Sequence, residues 1–191
     1  MRQPKAFQRR PSRSAADPCA GRNVVITGGS SDIGRASAEA AVRKGAVVIL
    51  LTRGEDPLDE VVQHIRDAGG RAHGYVCDVT DSDSVVRTVS ANLSEHGRVD
   101  MFVDSAGRSI RRSTDRVHDY ERTNTINYFG AIRLIPALVP HMRERRFGRV
   151  VNISKMTVLG LPARFSAYGA SKSALDGFTD VVAAKTQENI G

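Results

Sequence analysis

Tyr168 and Lys172, four residues apart in Ala167-Tyr168-Gly169-Ala170-Ser171-Lys172, pair a phenol with an ammonium. On a helix that spacing puts both side chains on one face. A phenol loses its proton near pH 10, so at neutral pH it is a reluctant acid or base until a nearby cation favours its ionised form. Lys172 is placed to be that cation. The pair then suits proton transfer at a carbonyl oxygen while hydride reaches the carbon from a nicotinamide. A second segment with chemical potential is Thr27-Gly28-Gly29-Ser30-Ser31-Asp32-Ile33-Gly34, a glycine-rich turn leading from an apolar run into a helical pattern. Such a turn lets backbone N–H groups and the positive end of a helix approach a pyrophosphate. Glycine serves plain tight turns equally well, and the G-x-G-x-x-G spacing is not matched. About 20 residues past the glycines, where an acid would accept hydrogen bonds from the adenosine ribose, stand Thr52 and Arg53. A guanidinium there suits a 2′-phosphate, which favours NADP(H) over NAD(H). The alternatives are that Arg53 caps a turn, or that Glu55 or Asp56 reaches the ribose.

The elements that must hold these groups alternate along the chain. Short β-branched runs are expected as strands at 24–27, 47–51, 72–77, 99–103 and 149–153, apolar on both faces as strands covered from both sides are. Helical patterns lie between them at 33–44, 58–68, 82–96, 118–145 (one long helix) and 166–188, with Gly45, Gly69 and Gly97 where C-caps belong. Right-handed crossovers wind such units into an α/β, Rossmann-type, doubly wound parallel sheet with helices on both faces. Its ligand lies at the carboxyl ends of the strands.

In register with these elements the sequence resembles the short-chain dehydrogenase/reductase family. Thr27, Gly28 and Gly34 match its T-G-x-x-x-G-x-G turn, with Asp32 in place of the middle glycine. Ser30, Ser31 and Ile33 complete that turn. Asp78-Val79 resembles the family's D-V pair, whose aspartate contacts the adenine amino group. Asp104-Ser105-Ala106-Gly107 resembles its N-N-A-G turn with both amides changed, so Ala106 and Gly107 join the expected cofactor contacts. Asn127 matches the asparagine that holds a proton-relay water. The resemblance thus implies catalytic roles for Tyr168, Lys172 and Asn127, with Tyr168 and Lys172 also touching the cofactor. It further implies a small-molecule carbonyl substrate and association of identical chains through the two long helices.

Two departures bear on activity. Asp32 is an ordinary helix cap, but in a dinucleotide site it competes with phosphate for the same N–H donors. At about 4 Å two like charges cost about 1 kcal/mol in water and about 4 at an effective dielectric near 20. The family serine, thirteen positions before the tyrosine, falls on Lys155, with Ser154 one place earlier. Neighbouring strand residues face opposite ways, so Ser154 serves only if the strand end bends or slips. Lys155 is the other candidate donor. The alternative reading of the chain is therefore a catalytically impaired or silent relative, acting by binding or association.

A narrower resemblance, to bacterial and especially mycobacterial fatty acyl-CoA reductases, runs through 107–113, Asp115-Arg116, 118–122, 127–130, 141–148 and 164–168. It implies a long-chain acyl thioester reduced with NADPH. Arg108, Arg111 and Arg112, at the active-site edge, are suited to coenzyme A phosphates or simply to solvent. The family continues past the end of this sequence with further strands, so the domain at 22–191 is expected to lack its last ones.

Composition narrows the class further. The 191 residues suit one domain, 40% hydrophobic and 26% charged. No apolar run approaches the roughly 20 residues of a membrane span. Five cations and no acid in residues 1–16 supply +5 of the +7 net charge, leaving a nearly neutral body. Residues 1–21 are therefore expected as a basic, unstructured tail: a solvated leader, a mis-assigned start, or an anion-binding or targeting segment. Nucleic-acid binding has no support outside it. Two cysteines, Cys19 and Cys77, fit a reducing, cytoplasmic setting, and no metal-ligand spacing stands out.

Overall fold

The computed structural model describes residues 17–110, 116–154 and 165–187. Five strands, β1 (Asn23–Thr27), β2 (Val47–Thr52), β3 (Arg71–Val76), β4 (Met101–Asp104) and β5 (Arg149–Asn152), alternate with helices α1 (Asp32–Arg43), α2 (Glu55–Asp67), α3 (Ser82–His96), α4 (Val117–Asn127) and α5 (Phe129–Glu144). Helix α6 (Ser166–Gln187) follows. The strands form one parallel sheet in the order β3-β2-β1-β4-β5, the doubly wound arrangement expected from the alternation.

Strands β1, β2 and β4 feed two cores because their side chains alternate in direction. Val24, Ile26, Val48 and Leu50 pack with Ala38 and Ala41 of α1 and with Leu58, Val61, Val62 and Ile65 of α2. Val25, Ile49, Leu51 and Phe102 pack on the other face, against α3, α5 and Leu175 of α6. Helix α3 is started by Asp81, whose side chain accepts from Asp83 N–H, and ended by Gly97 at φ 68°. Gly45 and Gly69, at φ 81° and 80°, close α1 and α2 by the same left-handed device.

Two expectations are corrected here. Among the described strands, the interior ones, β1, β2 and β4, are covered on both faces. Strands β3 and β5 are the sheet's edges and alternate in exposure, since the helices reach only part of them. The long helix expected at 118–145 is broken at Tyr128 (φ −115°, ψ −60°) into α4 and α5. The last residue of α4, Asn127, is pulled into side-chain bonds with a neighbouring loop, and Gly130 lets α5 approach Val79, where a Cβ would meet Val79 Cγ2 at 2.9 Å. Residues 17–21, placed by composition in the tail, form a turn against α1 and β2. Ala20 N–H donates to Asp17 O, Gly21 N–H to Gly45 O, and Lys44 Nζ to Asp17 Oδ2 at 2.8 Å.

The amino pole of the sheet is tied by one buried carboxylate. Asp100 accepts from Asn23 N–H and pairs with Arg98, Arg145 and, at 3.7 Å, Arg22. At β5 the outer side opens on a groove lined in part by Val139, Phe147, Phe178 and Val182. Among the described residues no helix is long and apolar enough to cross a membrane.

Candidate active site at the strand tips

The sheet order reverses between β1 and β4, and beyond these strand tips lies the crevice position at which a doubly wound sheet takes its ligand. The first loop is the glycine turn. Gly28 adopts φ 64°, and a Cβ on it would sit 3.2 Å from the Ala106 backbone, so the two loops touch where only glycine fits. A Cβ on Gly34 would collide with Gly28 O at 2.1 Å, which is why the first turn of α1 can close on the loop. Ser31 is the N-cap residue, but its hydroxyl donates to Gly28 O (2.6 Å) rather than accepting from the helix. The early N–H groups of α1 thus receive no side-chain oxygen from the cap, as a phosphate cradle requires. Asp32 and Ile33 are both exposed on the first turn of α1.

Beside this cradle, Ser30 Oγ lies 3.0 Å from Thr52 Oγ1, joining the turn to the tip of β2. Arg53 is exposed immediately beyond. Asp78 accepts from the backbone and hydroxyl of Thr80 at 2.8 and 2.7 Å. Burial pushes its carboxyl up, but these bonds and the Arg53 and Arg133 cations outweigh that and hold it below the ordinary aspartate range. Val79 is buried beneath it, against Gly130. Arg53 and Asp78 therefore share one end of the crevice, with the glycine turn between them and the β4 loop.

The β4 loop is fastened by a side-chain pair that local spacing does not reveal. Thr27 Oγ1 donates to Asp104 Oδ1 at 2.6 Å and accepts from the N–H groups of Ser105 and Ala106 at 3.0 and 2.9 Å. Both side chains are buried, and burial raises the Asp104 carboxyl against the opposing pull of Thr27 and the Lys172 charge. The Asp104 in place of an amide still latches the loop, through an acceptor rather than a donor.

Asn127 is buried and fully engaged. Its Oδ1 accepts from Arg108 N–H (2.7 Å), and its Nδ2 donates to Arg108 O (2.9 Å) and Ser171 Oγ (3.0 Å). The amide thus clamps the backbone just past Gly107 as a neighbouring strand would. Ser171 passes the connection on by donating to Tyr168 O. Ser171 is a site residue that the motif reading passed over; its one signal is position, beside Lys172 on the buried face of α6. Tyr120 adds a further tie, donating to Ser166 Oγ at 2.7 Å.

Tyr168 and Lys172 do share a face of α6. Lys172 is 3% exposed, and its Nζ donates to Ile153 O at 2.6 Å, just beyond β5. Burial lowers its ammonium, opposed by Asp104 and Asp176. The Tyr168 phenol is raised by burial, so it is held protonated at neutral pH. Burial, rather than the expected downward pull of Lys172, sets the direction of the phenol's shift, and the ammonium itself is held on Ile153 O. Ser154 lies beyond the paired end of β5, whose last ladder bond runs from Ile153 N–H to Asp104 O. Strand alternation therefore stops constraining it. Its Oγ is buried without a hydrogen-bond partner among the described residues, as is Asp104 Oδ2. Lys155, Arg111, Arg112, Asp115, Arg164 and the tail at 1–16 lie outside the described residues.

The tips of β1, β4 and β5 thus gather the glycine turn, the buried Lys172 ammonium and, among the described residues, an unpartnered Ser154 hydroxyl, with the protonated Tyr168 one turn of α6 before Lys172. Residues 22–190 match the family model for short chain dehydrogenase. The chain belongs to the short-chain dehydrogenase family. It is 44% identical over 181 residues to an uncharacterized oxidoreductase of Mycobacterium tuberculosis, covering 91% of this chain and 53% of that protein. It is 43% identical over 169 residues to a fatty acyl-CoA reductase of Acinetobacter baylyi, covering 86% and 57%. This short-chain dehydrogenase chain spans about half the length of these curated relatives. Among solved structures, a metagenomic short-chain oxidoreductase in complex with NADP superposes with TM-score 0.84 at 30% identity, covering 89% of this chain and 78% of that one. An NAD+-bound xylitol dehydrogenase gives TM-score 0.84 at 30% identity, covering 88% and 66%.

Proposed function

We propose that this chain carries the cofactor and proton-transfer machinery of an NADPH-dependent oxidoreductase that reduces a carbonyl, its substrate being a long-chain fatty acyl-CoA. The observation that carries the reading is the chain Arg108–Asn127–Ser171, which ties the β4 loop to the main chain of α6 at Tyr168 O, on the helix turn that carries the protonated Tyr168 phenol and, four residues on, Lys172. The residues fit a dinucleotide, because the Gly28 and Gly34 cradle has no room for a Cβ and leads into the open N-terminus of α1. Gly28, Ser30, Ser31, Ile33 and Gly34 would line the pyrophosphate, with Asp32 at its edge, while Thr27, wholly buried and bonded to Asp104, Ser105 and Ala106, supports the turn from beneath rather than touching the cofactor. Thr52, Arg53, Asp78 and Val79 would hold the adenosine end. Ala106, Gly107, Tyr168 and Lys172 would face the nicotinamide half. When bound, the reduced nicotinamide supplies a hydride to the carbonyl carbon.

Tyr168 gives its proton to the carbonyl oxygen, and burial keeps that proton in place until the oxygen gains charge. Lys172 stabilises the phenolate left behind, at the strand tip where Ile153 O orients its ammonium. Ser154 Oγ, without a partner among the described residues, donates to the substrate oxygen and steadies it. Arg53 favours the 2′-phosphate of NADPH, and the acyl-CoA assignment is supported by the likeness to the Acinetobacter reductase and by Arg108 at the crevice rim. The reading includes a reducing, cytoplasmic setting, supported by the free thiols of Cys19 and Cys77, and self-association through α4, α5 and α6, supported by the exposed Val117, Phe129 and Val181.

The test is NADPH oxidation with a panel of acyl-CoAs and simple ketones, with Tyr168→Phe beside the parent. Turnover of long-chain acyl-CoA, lost in the variant, is the expected result. Asp32, exposed on the first turn of α1, favours a second reading as a silent relative. No turnover by folded parent supports that reading.

A further inference from the structure

At the opposite pole from the crevice, the fold gathers three metal-ligating side chains that are remote in sequence. His73 lies on the edge strand β3, and Glu95 and His96 form the last two positions of α3. Their ligand atoms all lie within 4.8 Å of one another. Glu95 Oε1 is 3.5 Å from His73 Nδ1 and 3.8 Å from His96 Nε2. The imidazoles meet edge to face, with ring centroids 4.3 Å apart. From these residues we infer that His73, Glu95 and His96 form a binding site for one divalent transition-metal ion, Zn2+ being the best fit.

The donor set decides the class of ion. Two imidazole nitrogens and one carboxylate oxygen suit zinc and its borderline neighbours, whereas calcium and magnesium take oxygen ligands. Bonds of about 2.0 to 2.2 Å in a tetrahedral site place ligand atoms about 3.4 Å apart, close to the separations from Glu95 Oε1. The carboxylate is already oriented for this. Tyr75 OH donates to Glu95 Oε2 at 2.5 Å and so leaves Oε1 turned toward both rings, the outer-shell role that fixes a ligating carboxylate. Tyr75 OH also lies 3.1 Å from His96 Nε2. Coordination through Nε2 requires the Nδ1–H tautomer, so the ion replaces that contact rather than adding to it. The opposing charge is Arg66, whose Nε is anchored on Ala72 O. Glu95 supplies the negative charge that offsets it. Three protein ligands leave a fourth position for water. The ion would pin the sheet's edge strand to the end of α3, since β3 pairs with no further strand on its outer side among the described residues.

The site is built from β3 and the end of α3 and shares no residue with the glycine turn or the Tyr168–Lys172 pair, so its test is separate from that of the oxidoreductase reading. Equilibrium dialysis of the tag-free chain against Zn2+ is run on the parent and on His73→Gln, His96→Gln and Glu95→Gln. The expected result is one zinc per chain, with affinity falling at least about tenfold in each variant and by about tenfold in Tyr75→Phe. Glu95 is exposed, so Glu95→Gln reads the site even where a histidine variant fails to fold. With Co2+ as the probe, the parent should develop a visible tetrahedral absorption that Glu95→Gln lacks. No zinc retained by the parent, or equal retention by every folded variant, overturns the assignment.

Discussion

The two halves of the sheet hold their parts of the site by different means. On the β1–β2–β3 side, the glycine turn proposed to cradle the dinucleotide is shaped by backbone: the left-handed Gly28, the contact of Gly34 with Gly28 O, and two strands buried along most of their length. On the β4–β5 side the strands are four residues each, β5 is an exposed edge, and order comes from polar side chains, chiefly Thr27–Asp104, Asn127–Ser171 and Lys172–Ile153. A backbone-shaped region fails when a Cβ is added. A region held by side-chain hydrogen bonds fails when one amide or hydroxyl is removed, because the partners are left buried and unpaired.

That contrast can be sharpened by substitution. The largest effect on rate is expected from Lys172→Met, which should lower turnover by about a hundredfold or more at unchanged protein fold, as measured by steady-state NADPH oxidation and circular dichroism. Asn127→Ala removes three hydrogen bonds, one buried and two part-buried, and should lower stability by about 2 to 3 kcal/mol in urea denaturation, with turnover falling alongside. Gly34→Ala, which presses a methyl into Gly28 O, should cost about 1 to 3 kcal/mol and weaken NADPH binding at least about tenfold, read by fluorescence titration. If instead the methyl is absorbed without loss of NADPH affinity, the cradle is not backbone-limited. Asp32→Gly should tighten NADPH by about fivefold, the equivalent of about 1 kcal/mol of repulsion between exposed charges.

The smallest expected effect is a shift in pH dependence. Burial already lowers the Lys172 ammonium, while Asp104 supports its charge. Asp104→Asn withdraws that support, so Lys172 should lose its proton at lower pH still and the alkaline limb of the kcat profile should move to lower pH. A limb that stays in place, or moves up, separates Lys172 from Asp104.

How much of this was legible in the chain depended on sequence distance. The order of strands and helices, the C-cap glycines and the Tyr168–Lys172 spacing are local patterns, and all of them appear in the structure within a residue or a few. The links that organise the β4–β5 side are not local. Thr27 reaches residues 104 to 106, Asn127 reaches Arg108 and Ser171, and no periodicity marks such partners. The break at Tyr128 was hidden for the same reason, since an apolar helical pattern continues through it. His73, Glu95 and His96 form a cluster only because β3 and the end of α3 are brought side by side. The exposure of β3 and β5 followed from their places in the strand order, which apolar runs alone do not give.

The central claim, that a cradle of backbone holds the dinucleotide while a separately fixed phenol delivers the proton, is tested most directly on Tyr168→Phe by measuring NADPH affinity and acyl-CoA turnover in the same preparation. The account predicts a dissociation constant within about threefold of the parent and turnover reduced by about a hundredfold or more. Turnover close to the parent's would contradict it.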